Sequence, residues 1–297
     1  MIVLSDGDAT KGVRDLPGFR SIGQRARDRG ISITTIGVDT AYNEKILSAI
    51  AEESNGRHYF VENDAALSKV FAAEAESLTT TVASAAEVTI ELAQGVELDR
   101  VFDRSFRRSG NRISVPLGSF SGGEVKTVLL KVRIPSQQEG TTLVADVNMT
   151  YRDLVADSAG RCDGKLAVEV TGEDAPASDL DPVVAGRVQR SETAAVLKEA
   201  NTLFDQGKRE EARQRIAAQA SSLASAAVKA KSAAPADRAA EVSGDFDKQI
   251  AAIGRASSGF ATPPAARPGG GSVAADPAPV TRAPQLDNEA NAFDLRR

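Results

Sequence analysis

The chain has 297 residues, 41% hydrophobic and 26% charged, a globular composition whose length implies about two domains. Its net charge of −5 excludes a strongly basic nucleic-acid binder, and no run approaches the ~18 apolar residues of a membrane span. One cysteine, Cys162, and one histidine, His58, exclude an intrachain disulfide and any intrachain site that needs two imidazoles.

The first segment, 1–80, alternates strand and helix. Ile2-Val3-Leu4 running into Ser5-Asp6-Gly7 reads as a short buried strand ending in a turn. A helix is expected from Leu16 to Arg29, stopped by Gly30. The β-branched run Ile31–Val38 is a second strand, and Asn43–Ser54 a helix with Ile46, Leu47, Ile50 and Ala51 on one face. His58–Val61 is a third strand, followed by a helix capped at Asn63-Asp64 with Leu67, Val70, Phe71 and Leu78 facing in. Such alternation implies a mostly parallel sheet covered by helices.

Near residue 82 the apolar period changes from 3.6 to 2. Over 82–172, Val88/Ile90/Leu92, Ile113/Val115/Leu117, Val128–Ile134, Leu143–Tyr151 and Leu166–Val170 alternate with polar residues. Turn signals at Ser109-Gly110-Asn111, Ser121-Gly122-Gly123, Glu139-Gly140 and Ala159-Gly160 separate them, a pattern that implies a β-sandwich. Residues 187–255 are rich in Ala, Glu, Lys, Arg and Gln at helical spacing, with a turn at Asp205–Lys208 and a third helix after Pro235, which implies a small helical bundle. Residues 256–297 are rich in Pro, Gly and Ala, and a disordered tail is expected there. Gly269-Gly270-Gly271 lacks the Lys-Ser/Thr and the strand of a phosphate loop and reads as linker.

Ile2–Asp8 resembles the fourth strand of von Willebrand factor type A domains, a hydrophobic strand ending in Ser/Thr-Asp-Gly. Gly30–Val38 resembles that family's fifth strand, Asn43–Asn55 the helix after it, Gly56–Val61 its sixth strand and Leu67–Leu78 its closing helix. The resemblance covers about 1–78, the C-terminal half of such a domain, so the chain is expected to begin inside one. The fold class it implies is multidomain: half of a doubly wound α/β domain, a β-sandwich, a helical bundle and a tail, as in bacterial members of the family. Residues 196–223 also resemble one tetratricopeptide-like hairpin, with Gly207 at the turn.

In that family a metal-ion-dependent adhesion site takes ligands from an Asp-x-Ser-x-Ser loop, a Thr in a later loop and an Asp after the fourth strand. Only the last maps here, onto Asp6. A hard divalent cation needs about six oxygens. The resemblance implies Mg²⁺ or Mn²⁺ for a complete domain, and weak or no binding is expected of this chain, in which Asp6 is an isolated turn aspartate. The resemblance implies a non-enzymatic module that binds a protein partner, in envelope assemblies or beside AAA+ ATPases; the alternative is a metal-independent scaffold acting through the sandwich and helices. The sequence leaves the compartment open, with no signal-peptide pattern at its start. An uncovered first strand implies possible self-association through its edge.

Three other features read as structural. His58 has no nominated nucleophile or orienting acid, Cys162 has no basic cluster around it, and Arg104–Arg108 reads as a solvated strand end.

Overall fold

A computed structural model describes residues 1–5, 9, 11–38, 43–61, 64–135, 139–172, 180–260 and 283–296. They fall into two compact units, one holding residues 1–38 and 45–179 and the other mainly residues 180–296.

In the first unit, β1 (Ile2–Ser5), β2 (Thr34–Val38) and β3 (His58–Val61) form a parallel sheet in that order. Val3 lies opposite Thr35 and Leu4 opposite Ile36, while Thr35 lies opposite His58. The connections carry α1 (Leu16–Arg27) and α2 (Glu44–Glu53), and α3 (Asp64–Thr79) follows β3. Ile33, Ile46 and Ile50 make the core with Val3, Phe19 and Ala26. The 3.6-residue spacing of Ile46, Leu47, Ile50 and Ala51 puts all four on the buried side of α2. Asn55, at φ 58°, ends that helix, and the Gly56 amide bonds back to the Ala51 carbonyl. Gly56 cannot be replaced: a Cβ there would sit 2.0 Å from the Ile33 carbonyl oxygen. The face expected on α3 departs from this pattern, since Phe71 and Leu78 are exposed.

Beyond α3 the same unit continues as strands. β4 (Thr81–Leu92), β6 (Arg107–Ser109), β7 (Arg112–Ser121), β9 (Gly140–Asp153) and β10 (Ser158–Val170) form an antiparallel sheet in the order β10-β9-β4-β7-β6. β5 (Glu97–Val101) pairs with β8 (Leu130–Arg133) as a separate two-stranded sheet. Val88, Ile90 and Leu92 of β4 and Ile113, Val115 and Leu117 of β7 are buried, with Leu98, Val101, Leu130 and Val132 of the small sheet packed against them. Period-2 patterning thus selects the buried face of β4 and β7, as expected.

Residues 1–80 and 82–172 lie in one compact unit. One expectation fails here. Ala159-Gly160 is no turn but the start of β10; the chain reverses over Leu154–Asp157, where Asp157 takes φ 48°. An aspartate tolerates this left-handed backbone, so the turn needs no glycine.

The second unit holds α4 (Pro182–Asp205), α5 (Arg209–Ala233), α6 (Ala239–Gly259) and α7 (Ala283–Leu295). Asp181 caps α4 by accepting from the Val183 and Val184 amides, with Pro182 in the first turn. Leu197, Ile216, Leu223, Val242, Phe246 and Ile253 share one core. Full burial of a side chain such as Phe246 contributes about 2–3 kcal/mol of transfer free energy. Ile250 of α6 is exposed. The expected disordered tail is corrected at both ends: residues 256–259 complete α6, and α7 packs on the core through Ala292 and Leu295. Residues 261–282 lie outside the described residues, and the Gly269–Gly271 expectation with them.

Candidate functional site

In a sheet of parallel strands, ligands approach the edge where the strands' carboxyl ends lie. Here that edge is formed by Ser5, Val38 and Val61. The sequence continues from the three strands with Asp6 and Asp8, Asp39 and Thr40, and Glu62 and Asn63. Asp6, the expected metal ligand, lies outside the described residues, as do the others. Among the described residues there is no group of three or more His, Cys, Asp or Glu that could hold a metal ion.

What the structure does show is how the strands leading to this edge are held. The Thr35 hydroxyl, fully buried in β2, donates to the Leu47 carbonyl at 2.9 Å and lies 2.9 Å from His58 Nδ1. With the hydroxyl proton committed to Leu47, His58 donates from Nδ1 to the Thr35 oxygen. His58 is itself buried, so this imidazole joins β3 to β2 and α2.

Toward the amino ends of β2 and β3, Glu74 of α3 accepts from the Thr34 hydroxyl at 2.8 Å, the Tyr59 hydroxyl at 3.0 Å and Arg57 at 3.3 Å. Burial raises the Tyr59 phenol above its ordinary pKa, and the Glu74 charge adds to the effect. For Arg57, burial acts downward, but the Tyr59 and Glu74 charges outweigh it and the net shift is upward. The sequence held no signal for Glu74, because a glutamate on a helix carries no motif.

Glu53 at the end of α2 plays the corresponding part toward the antiparallel strands. Its carboxylate accepts from Gln24 at 3.1 Å and from the Ser105 hydroxyl at 2.6 Å, and Arg27 donates to its backbone carbonyl at 3.1 Å. Beside it, Asn55 donates to the Pro116 carbonyl at 3.3 Å, and Gly118, at φ +75°, leaves room for the Asn55 side chain. A cleft of about 260 Å³ lies at this junction, lined by Arg27, Asp28, Asn55, Glu87, Arg107 and Gly118. Arg107 pairs there with Glu87 and lies 3.9 Å from Asp28. These are structural ion pairs, and nothing among them pairs a nucleophile with a base.

The remaining sequence candidates lie apart. Cys162 sits exposed on β10 as a free thiol. Of the basic run, Arg107 and Arg108 belong to β6, and Arg104 donates to the Thr127 carbonyl at 2.7 Å.

Comparison with known proteins bears on the parallel sheet. Residues 1–73 match the family model of the von Willebrand factor type A domain. The matched segment contains all three parallel strands and most of α3. A relative in Escherichia coli (strain K12), the uncharacterized protein YfbK, is 28% identical over 150 residues, 46% of this chain and 25% of that protein. A solved structure of a von Willebrand factor type A protein from Catenulispora acidiphila superposes with a TM-score of 0.65 at 18% identity, covering 86% of this chain and 57% of that one. The ArnB paralog VWA2 from Sulfolobus acidocaldarius gives a TM-score of 0.51 at 17% identity, covering 99% of this chain and 62% of that one. At these identities the structures show the fold alone: an α/β type A fold with further sheets and helices. The chain spans a quarter of the E. coli relative and about three fifths of the two solved chains. No described helix is long and apolar enough to cross a membrane.

Proposed function

We propose that the chain is a protein-interaction module and not an enzyme. In this reading residues 1–80 correspond to the later strands and helices of a type A domain, 82–172 to a β-sandwich, and 187–255 to a helical bundle. The carboxyl edge of the parallel sheet is the surface that meets the partner. A divalent cation, Mg²⁺ or Mn²⁺, joins the contact where a full ligand set is present, with Asp6 as one ligand. The observation that carries the reading is the type A match over residues 1–73 together with the parallel β1-β2-β3 order. The buried ties around Thr35, His58 and Glu74 support it, since a rigid sheet holds a binding edge in fixed geometry.

A second reading, a scaffold that acts without metal, draws support from the extent of the antiparallel strands and helices, which make up most of the described residues. Tagged full chain tests the two together in a binding assay against candidate partners. Binding that a bulky opposite charge at the edge, Asp6→Arg, abolishes supports the first reading. Binding indifferent to that change supports the scaffold. Turnover of a substrate in place of stable binding overturns both.

A further inference from the structure

β10 is a 13-residue strand at the end of the five-stranded sheet, and among the described residues it pairs only with β9. Nearly every residue in it is exposed. A strand of this length with one free side presents a row of unpaired N–H and C=O groups, which proteins usually shield with charged side chains, proline, a bulge or short length; the charges on β10 are of both signs and so can pair with those of a second β10. β10 has no proline, and the sheet's irregularity beside it places the extra residue, Val144, in β9.

Its two faces differ. Arg161, Asp163, Lys165 and Glu169 point to one side, and Cys162, Gly164, Leu166 and Val168 to the other, where Leu166 is 53% exposed. On the polar side Arg161 already makes a bidentate pair with Asp163. Lys165 reaches Asp146 of β9 only at 3.8 Å in a solvated pair.

We propose that β10 pairs antiparallel with β10 of a second copy of this chain, about a twofold axis at Gly164. The argument is one of register. A twofold axis between residues would place the charged side of one sheet against the apolar side of the other, so the axis must pass through a residue. An axis at residue 163 sets Asp163 against itself and Arg161 against Lys165. At residue 165 it sets Lys165 against itself, and at residue 166 it sets Asp163 against Glu169. An axis at Cys162 satisfies the charges but shortens the overlap to residues 158–166.

Residue 164 is the midpoint of 158–170, so that register pairs the whole strand. It also sets Asp163 against Lys165 twice, and puts Glu169 within diagonal reach of Arg161. On the apolar side it matches small with large: Cys162 faces Leu166, and Gly160 faces Val168. The Tyr151 ring already covers Gly160 closely enough that a Cβ there would lie 2.3 Å from it, so Val168 of the other copy gains an aromatic neighbour. Longest overlap, charge pairing and side-chain size thus select one register. The two five-stranded sheets join into one of ten strands.

Sedimentation equilibrium on the full chain in reducing buffer is the first test, and a dimer is expected. Lys165→Asp sets like charges opposite each other at two symmetric places and should weaken the dimer about tenfold or more. Circular dichroism checks that this exposed substitution leaves the fold intact. For register, wild-type chain is mixed with Cys162→Ser/Leu166→Cys chain under mild oxidation. The mixed disulfide between Cys162 and the new thiol should form faster than either homodimeric disulfide. A monomer at all concentrations overturns the proposal. So does a dimer that Lys165→Asp leaves unchanged and that gives no mixed disulfide, because another surface then joins the copies.

Discussion

Glu74→Ala offers a direct reading of what holds the parallel sheet together. The Glu74 side chain is 13% exposed and accepts three hydrogen bonds, from Thr34, Arg57 and Tyr59. A hydrogen bond to a charged group contributes about 1.5–3 kcal/mol when buried. Arg57 is 29% exposed, so its share falls toward the ~1 kcal/mol of a solvated pair. Thr34 is nearly buried, and its orphaned hydroxyl carries most of a desolvation penalty. The total expected loss is about 3 kcal/mol, against about 1 kcal/mol for Tyr59→Phe, which removes one donor and leaves Glu74 two. The chain has two compact units, so a single melting curve does not isolate this sheet. Hydrogen exchange read by mass spectrometry on peptides from β2 and β3 does. Opening in those peptides should become about a hundredfold more frequent in Glu74→Ala and about fivefold more in Tyr59→Phe, with α5 and α6 unchanged. Equal, small effects of both substitutions would refute the view that Glu74 organises these strands.

Three further outcomes are expected. Tyr59 should ionise above the ordinary phenol value of 10.0, seen by subtracting the ultraviolet pH titration of Tyr59→Phe from that of wild type. Because the folded-state pKa is raised, its contribution to stability is complete below pH 10 and is lost as pH rises through the folded value. Asn201→Ala, at a buried amide that donates to the Gln285 carbonyl at 2.9 Å and accepts from Asn288 at 3.0 Å, should cost about 2 kcal/mol and speed exchange in α7 first. Calorimetry with Mg²⁺ or Mn²⁺ should give weak or no binding to this chain; a tight stoichiometric site abolished by Asp6→Ala would contradict that.

The legible part of this fold is the part written in periodicity. Ile46, Leu47, Ile50 and Ala51 name the buried face of α2, and Ile113, Val115 and Leu117 that of β7, because burial on one side leaves a period in the sequence. Patterns fail where burial does not follow them. Leu166 and Val168 alternate correctly, yet they lie on a strand that the two-stranded sheet does not cover. Composition misleads at the C-terminus, where prolines and glycines before residue 282 mask a helix whose buried side includes Gln285, Asn288 and Glu289. Polar residues give no hydrophobic signal, although here they hold α7 to α4 through Asn201 and Lys198. Asp6 stands out only through the family resemblance, since one carboxylate after a strand has no chemistry of its own. Glu53 and Glu74 were silent because their partners come from 15 to 52 residues away in sequence.

The central claim is that the chain acts by holding a partner at the carboxyl edge of its parallel sheet. The most direct measurement is quantitative affinity capture on tagged full chain, wild type against Asp6→Arg, which places bulk and opposite charge at that edge, with a reverse capture from each candidate partner. The account predicts a partner that is recovered in both directions with wild type and falls at least tenfold with Asp6→Arg. A partner recovered equally with both chains would place the contact elsewhere and contradict the claim.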